Sequence, residues 1–216
     1  MYKKFGKRLL DILFSIMAMP FVGIALLILA PIIHFEDKGP VFYCAPRRGK
    51  KGKIFRMIKF RSMKVNAPDL RNTDGSTFNS AHDPRVTKIG RIMRKTSLDE
   101  LPQFINVLVG DMSIIGPRPR VGNTAYESMD EVRKKGLSVR PGVTGYSQAY
   151  FRNSISQEEK FKYDAYYAEN VSFVLDVKVF FMTIASVFSH KNINSNADTD
   201  KAVETRENLA VTNMKK

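Results

Sequence analysis

The sequence predicts an α+β protein with a long apolar helix at the N-terminus and a small compact domain of helices with a short β-hairpin. Three patterns predict it: an apolar run over residues 9–33, two strand-like runs within 41–61, and later segments with helical periodicity and capping residues. We divide the chain into an apolar segment (1–36), a folded domain (37–190) and a polar tail (191–216) whose composition predicts disorder.

The charge balance of the chain limits its partners. Lys and Arg number 35 against 21 Asp and Glu, which gives a net charge of +14 and favours nucleic acid, anionic lipid or phosphorylated substrates. Cys44 is the single cysteine, and the three histidines are scattered, so neither a disulfide nor a histidine metal site is predicted. No nucleic-acid motif is recognised, but a membrane-tethered basic module that binds lipid or nucleic acid remains an alternative to an enzyme.

The apolar run at residues 9–33 would form a helix about 37 Å long, which is enough to cross a bilayer. Pro20 removes one helical hydrogen bond near the middle and indicates a bend there, with Ser15 as a candidate to supply the missing bond. Basic residues flank both ends, which favours both ends on the cytoplasmic side. A spanning helix and a re-entrant helix that breaks at Pro20 both remain open. Asp11 is predicted to form an interfacial ion pair.

The polar region after the apolar run begins with the predicted hairpin. Strands are expected at residues 41–43 and 54–61, joined by the basic turn 47–52. Alternation along the second strand puts Lys59 and Arg61 on one face and Phe60 on the other. This basic face is interpreted either as a solvated strand edge or as part of a binding site.

Two adjacent carboxylates, Asp99 and Glu100, lie where a loop becomes a helix. Asp99 is predicted as the N-cap, or alternatively Ser97 and Glu100 form a capping box, and Gly110 ends the helix. Helix capping alone would explain such a pair. Because arginines lie on both sides, including Arg94, the surroundings also suit a site where a metal ion and a phosphate meet.

Two proline turns carry arginines further along the chain. Pro117 and Pro119 restrict the backbone on both sides of Arg118 and so aim its side chain, although an exposed structural turn has the same pattern. Arg140 precedes a similar Pro-Gly turn. Residues 161–188 predict amphipathic helices, which either pack on the core or lie at the level of lipid headgroups.

The chain resembles the bacterial sugar transferase family, the monotopic phosphoglycosyl transferases, over roughly residues 7–188. The resemblance is carried by separated segments in the family's order: Gly90-Arg91, Ser97-Leu98-Asp99-Glu100-Leu101-Pro102-Gln103, Asn106-Val107, Gly110-Asp111-Met112-Ser113, Gly116-Pro117-Arg118-Pro119 and Lys59-Phe60-Arg61-Ser62-Met63. It implies a re-entrant helix-break-helix with Pro20 at the break, interfacial helices, and a location at the cytoplasmic face of a bacterial inner membrane.

The resemblance also implies the reaction. A sugar phosphate passes from a UDP-sugar to a polyprenyl phosphate by a ping-pong course through a phosphosugar on Asp99, and UMP is released. Asp99 and Glu100 are the implied catalytic residues and Mg²⁺ ligands. Implied substrate contacts are Lys59, Arg61, Arg94, Pro117, Arg118, Pro119, Arg140 and Asp164. Downstream glycosyltransferases are candidate partners, and nucleic acid is not expected.

Overall fold

A computed structural model of the chain describes residues 1–70, 78, 80, 83–121, 125–151 and 155–189, the last three by their backbone alone. The tail 191–216, for which the sequence predicts disorder, lies outside the described residues. The elements in order are a π-helical turn (Tyr2–Gly6), α1 (Lys7–Asp37), β1 (Phe42–Arg48), β2 (Ile54–Phe60), α2 (Lys88–Thr96), α3 (Gln103–Val109), β3 (Ser113–Ile115), α4 (Glu131–Gly136), β4 (Gly142–Thr144), α5 (Tyr146–Tyr150), α6 (Gln157–Glu169) and α7 (Phe173–Ser189). The α+β class and the long apolar helix are confirmed.

Helix α1 is continuous through both Pro20 and Pro31, so it does not end at Pro20, and the bend that the sequence indicates there stays a prediction. Together with the preceding turn it forms a helical stretch, Tyr2–Asp37. The most apolar part of this stretch has a mean hydropathy of 2.6, and only 17% of that part is buried inside the protein. By length and composition it is the one helix in the described part that could cross a membrane. Ser15 does not supply the predicted hydrogen bond, because its buried hydroxyl has no hydrogen-bond partner among the described residues.

The N-terminal end of α1 is bound to the folded domain. Lys7 Nζ lies 2.7 Å from Asp176 Oδ2 on α7. Arg8 donates two hydrogen bonds, of 2.6 and 3.0 Å, to the last carbonyls of α3. Asp11 accepts from Ser113 Oγ at 2.9 Å on β3. The ion pair predicted for Asp11 is therefore replaced by hydrogen bonds within the protein, because the residue is buried against a strand.

The C-terminal end of α1 is bound to the same domain. Asp37 Oδ2 pairs with Arg61 Nη1 at 2.5 Å, just after β2. Glu36 accepts from the backbone N–H of Lys88 at 2.5 Å and so satisfies the first free donor of α2. Both ends of the apolar helix therefore contact one folded body, while most of the side chains between them are exposed.

The predicted hairpin is confirmed as β1 and β2, which pair antiparallel from Phe42 opposite Phe60 to Arg48 opposite Ile54. A second pair, β3 and β4, is parallel and was not predicted. The two strands come so close that a Cβ on Gly142 would lie 2.1 Å from the backbone nitrogen of Gly116, and only glycine fits there.

Three hydrophobic clusters form the core. The first joins α1 to β2 and α2 through Ile33, Phe60 and Met93; the second packs the hairpin on α3; the third packs β3 against α5, α6 and α7 around Tyr167 and Val179. Helix α7 buries one side and exposes large apolar residues on the other.

Candidate active site

Asp99 and Glu100 lie in a short 3₁₀ turn, Leu98–Glu100, between α2 and α3. Neither predicted cap forms, because Ser97 ends α2 in the left-handed conformation (φ 59°) and its side chain accepts no capping bond. The N-cap of α3 is Pro102. Gly110 ends α3 with φ 95°, as predicted. The acid pair is thus freed from capping, and its carboxylates are available for other contacts.

Glu100 forms an ion pair with Lys59 on β2, with 2.5 Å between Oε1 and Nζ. Burial is the largest single influence on Glu100 and opposes its ionisation, but the charge and hydrogen bond of Lys59 act with other groups to lower the pKa of the carboxyl overall. Arg118 and a hydrogen bond from Gln103 add to this lowering. Glu100 is therefore an anion at neutral pH, held in place by a partly buried cation.

Asp99 is buried, with 8% of its surface exposed. Burial raises the pKa of Asp99 to about 6, against the opposing pull of Lys59 and with a further rise from Glu100. Arg94 also favours the charged form. The group is still mostly ionised at neutral pH, but its charge is poorly solvated. Such a carboxylate is a better nucleophile than one surrounded by water.

Arg94 is positioned by contact between α2 and the segment after β2. A Cβ on Gly90 would lie 2.0 Å from the carbonyl oxygen of Ser62, so glycine permits this close approach. One turn later, Arg94 Nε donates to Ser62 Oγ at 3.0 Å. The guanidinium then interacts electrostatically with Asp99, in agreement with its predicted place beside the acid pair.

The Pro117–Pro119 turn brings Arg118 to the same site. Pro117 is buried and its carbonyl accepts from the Gly142 N–H at 2.9 Å, which fixes the turn on β4. Arg118 itself is exposed and lies close enough to lower the pKa of Glu100. An exposed arginine on a fixed turn can contact a phosphate that enters the site.

Asn106, which the sequence analysis did not select for the site, positions the acid pair. Its side chain accepts from Ile58 N at 2.9 Å and donates to Arg56 O at 2.8 Å, so the amide pairs with the backbone of β2 as a neighbouring strand would. This contact fixes α3 against the strand that carries Lys59. The sequence feature that could have identified Asn106 was its place in the Asn106-Val107 segment, which carries part of the family resemblance.

Arg61 does not reach the acid pair. It is buried and donates to Asp37, Pro40 O and Ile33 O, at 2.5, 2.5 and 3.1 Å. All three guanidinium nitrogens are occupied, because Arg61 fastens the C-terminal end of α1 to the strand. These contacts give Arg61 a structural role, and its predicted contact with substrate stays a prediction.

Arg140 and Asp164 have their hydrogen bonds with residues other than the acid pair. Arg140 Nε donates to Gly110 O at 2.8 Å, at the opposite end of α3. Asp164 is buried, 3.0 Å from Arg120 Nη2, and accepts from Ser147 Oγ at 2.9 Å. Burial raises the pKa of Asp164 despite Arg120. Lys59, Arg94 and Arg118 interact electrostatically with the acids, and Asp164 interacts in turn with Arg118.

The donor set limits how a metal can bind. The described residues contain no group of three or more His, Cys, Asp or Glu side chains placed to hold a metal ion. Two adjacent carboxylates can bind Mg²⁺ only when waters or substrate oxygens complete its shell, which is the usual arrangement for Mg²⁺ with phosphorylated substrates. Asp99 and Glu100 fit that role.

Comparison with known proteins identifies the family of the chain. Residues 2–190 match the bacterial sugar transferase family. The chain is 41% identical to the galactosyl transferase CpsE of Streptococcus agalactiae over 84% of its length and 42% of that protein. It is 37% identical to the uncharacterized sugar transferase EpsL of Bacillus subtilis, over 87% of its own length and 89% of that protein.

A third relative is the UDP-N-acetylgalactosamine-undecaprenyl-phosphate N-acetylgalactosaminephosphotransferase of Aeromonas hydrophila, 39% identical over 86% of the chain and 44% of that protein. The chain thus spans less than half of two relatives and most of EpsL. From these matches, the chain belongs to the bacterial sugar transferase family.

Proposed function

We propose that the chain transfers a sugar 1-phosphate from a UDP-sugar to undecaprenyl phosphate and releases UMP, as the first membrane step of glycoconjugate assembly. The printed name of the Aeromonas relative, which names both a UDP-sugar and undecaprenyl phosphate, supports this substrate pair. The observation that carries the proposal is the buried carboxylate of Asp99 beside Glu100, Lys59 and Arg94.

The proposed reaction has two displacements. A carboxylate oxygen of Asp99 attacks the phosphorus attached to the sugar, and the bond to the bridging oxygen breaks with its electron pair leaving on UMP. An oxygen of undecaprenyl phosphate then attacks the same phosphorus and restores the Asp99 carboxylate. A covalent intermediate divides one difficult transfer into two easier ones.

The cations around the pair lower the cost of bringing an anionic nucleophile to a diphosphate. Arg94 lies beside Asp99 and is positioned by Ser62, so it can contact the phosphoryl group under attack. Exposed Arg118 can follow the charge that develops on UMP. Lys59 keeps Glu100 ionised and in place.

Mg²⁺ is the expected cofactor, held by Asp99 and Glu100 together with the donor diphosphate. When bound, it supplies positive charge that neutralises the diphosphate and the leaving group. EDTA is expected to stop the transfer and added Mg²⁺ to restore it. Transfer that persists in EDTA would contradict the assignment of the carboxylates as ligands.

We propose that α1 bends at Pro20, which removes one helical hydrogen bond without ending the helix, and so enters one leaflet and returns, with the folded domain on the cytoplasmic face of the inner membrane. Both ends of α1 are bound to one domain, by Lys7 and Asp11 at one end and Glu36 and Asp37 at the other. A helix that crossed the bilayer would separate those contacts. The exposed apolar residues of α1 and α7 supply the lipid-facing surface.

The test of the reaction uses the purified chain in detergent with undecaprenyl phosphate and a panel of UDP-sugars. One UDP-sugar is expected to give UMP and a lipid-linked sugar phosphate, which glycosyltransferases could then extend. Asp99→Asn should abolish both products, while Glu158→Gln, an exposed acid on α6, should leave them unchanged. Equal UMP release by Asp99→Asn and the unsubstituted chain would reject the proposal.

The net charge of +14 supports a second candidate, a membrane-tethered module that binds anionic polymers without catalysis. Such a module would bind any polyanion with an affinity that falls steeply with salt. It would release no UMP from any UDP-sugar, so the same assay separates the two functions.

A further inference from the structure

A large cleft lies beside the turn of the β-hairpin, away from the acid pair. Its volume is about 710 Å³, within the range of about 300–1,000 Å³ that is usual for ligand pockets. We call it the hairpin-turn cleft. Its charged lining residues are Arg48, Lys50, Lys51, Lys53, Arg140, Asp111 and Glu127. The lining of the cleft thus carries five positive charges and two negative ones.

Most of these cations are not neutralised by the protein. Lys50, Lys51, Lys53 and Arg140 form no ion pair with any residue in the described ranges. Holding several like charges around one cavity is unfavourable unless an anion enters it. The charge pattern therefore indicates a ligand with phosphate-like chemistry.

The cleft is also held in shape by contacts that do not involve a ligand. Lys51 has a left-handed backbone (φ 53°), unusual for a residue with a side chain, and its N–H donates to Leu137 O at 2.7 Å. Gly52 packs on Tyr126, where a Cβ would lie 2.6 Å from the ring. On the opposite wall, Arg140 is fixed by its bond to Gly110 O. The backbone that carries the lysines and the side chain of Arg140 are thus held in place without a ligand.

The position of the cleft points to the source of the phosphate. Gly110 lines the cleft, and Arg8 of α1 lies 3.4 Å from where a Cβ of Gly110 would be. The neighbouring Val109 is apolar and 67% exposed. The cleft therefore begins next to the base of the apolar helix, where lipid headgroups would lie.

We propose that the hairpin-turn cleft binds the phosphate of an anionic lipid headgroup, separately from the substrates. The location beside lipid rests on the proposed membrane face of α1, whereas the phosphate chemistry does not. Bound lipid would hold the hairpin turn, and with it β2, at a fixed height above the bilayer.

The test uses the full chain in neutral detergent and three probes: dihexanoyl phosphatidylglycerol, its neutral phosphatidylcholine counterpart, and inorganic pyrophosphate. Lys51→Glu and Lys53→Glu are expected to weaken phosphatidylglycerol binding about tenfold or more, because each reversal removes one attraction and adds one repulsion. Lys162→Glu, the same change at an exposed position on α6, should have little effect. Phosphatidylcholine should bind weakly to all variants.

The outcomes distinguish a lipid phosphate from a soluble phosphate as the ligand of the cleft. Weakened pyrophosphate binding with unchanged phosphatidylglycerol binding would overturn the assignment to lipid and identify a soluble phosphate ligand. Equal affinities of Lys51→Glu, Lys53→Glu and Lys162→Glu for both anionic probes would overturn the site itself.

UMP release in the same detergent is the second measurement, and the cleft variants should retain it. A loss as complete as that of Asp99→Asn would place the cleft within the reaction and overturn its separate role. Lipid binding can be measured even if the chain shows no transfer, so failure of the proposed function would be seen independently.

Discussion

Lys59 and Glu100 are 41 residues apart in the chain, yet Lys59 Nζ lies 2.5 Å from Glu100 Oε1. The contact joins the hairpin to the turn between α2 and α3. It lowers the pKa of Glu100, and the charge of Lys59 also opposes the rise in the pKa of the neighbouring Asp99. One lysine therefore influences the protonation of both acids.

The first prediction concerns pH. Because the pKa of Asp99 is about 6, transfer should fall as pH drops through this value and the nucleophile becomes protonated. Lys59→Met removes a charge that lowers this pKa, so the acid limb of kcat/KM should move to higher pH. Lys59→Arg keeps the charge and should leave the limb near its original place. If the acid limb of the kcat/KM profile did not move in Lys59→Met, the lysine would not control the titration of Asp99.

The second prediction concerns stability. The folded pKa of Asp99 is raised from 3.8 to about 6, so the folded state binds this proton more tightly than the unfolded chain. The resulting stabilisation is present below pH 3.8 and is lost as pH rises through about 6. Asp99→Asn should therefore stabilise the fold at pH 8, by about 3 kcal/mol, and much less at pH 4.

Thermal unfolding in detergent at the two pH values measures this difference. Glu158→Gln, at an exposed position, serves as the control and should shift the midpoint little at either pH. If Asp99→Asn were less stable at pH 8 than the unsubstituted chain, the carboxylate would be part of a favourable network rather than a strained group.

The local features of the fold could be read from the sequence because they depend on neighbouring residues. The hairpin follows from its alternating runs and basic turn, and the end of α3 follows from Gly110, which adopts a positive φ. The predicted N-cap at Asp99 failed for a local reason as well. Ser97 is already used as the C-cap of α2, so the chain enters a 3₁₀ turn instead.

The contacts between distant segments could not be predicted in this way. Nothing near Arg61 in the sequence shows that its guanidinium fastens α1, because its partners lie up to 28 residues away. The parallel pair β3 and β4 consists of two three-residue strands, too short to give a periodic signal. The sequence pattern and the family resemblance both pointed to the acid pair. Only the fold showed which of the predicted cations interact with it.

The third prediction concerns Asn106. Asn106→Ala leaves Ile58 N and Arg56 O on β2 without their partner, so it should destabilise the fold by about 1–3 kcal/mol. It should also lower transfer, since α3 is no longer held against the strand that carries Lys59. Asn170→Ala removes a hydrogen bond from an exposed amide and should cost less than about 1 kcal/mol.

Urea unfolding and UMP release on the same samples separate the two effects for Asn106. Assays at a temperature where both variants are fully folded isolate the positioning role. If folded Asn106→Ala transferred the sugar phosphate at the full rate, Asn106 would contribute to stability and would not position the acid pair.

The fourth prediction concerns topology. Cys44 is exposed on β1 and is the chain's own labelling site after α1. Lys4→Cys in a Cys44→Ser background places a thiol before α1. Because both ends of α1 are bound to one domain, an impermeant thiol reagent should label both cysteines in inside-out vesicles and neither in intact spheroplasts. Labelling of the two positions from opposite faces would establish a single crossing instead.

The central claim is that Asp99 carries the sugar phosphate between donor and acceptor. Its most direct test is the intact mass of the chain after brief incubation with the UDP-sugar and Mg²⁺, without undecaprenyl phosphate. We predict a mass increase of one sugar phosphate, located on the peptide that contains Asp99, lost on addition of the acceptor and absent from Asp99→Asn. UMP release without any adduct, or an adduct on another residue, would contradict the account.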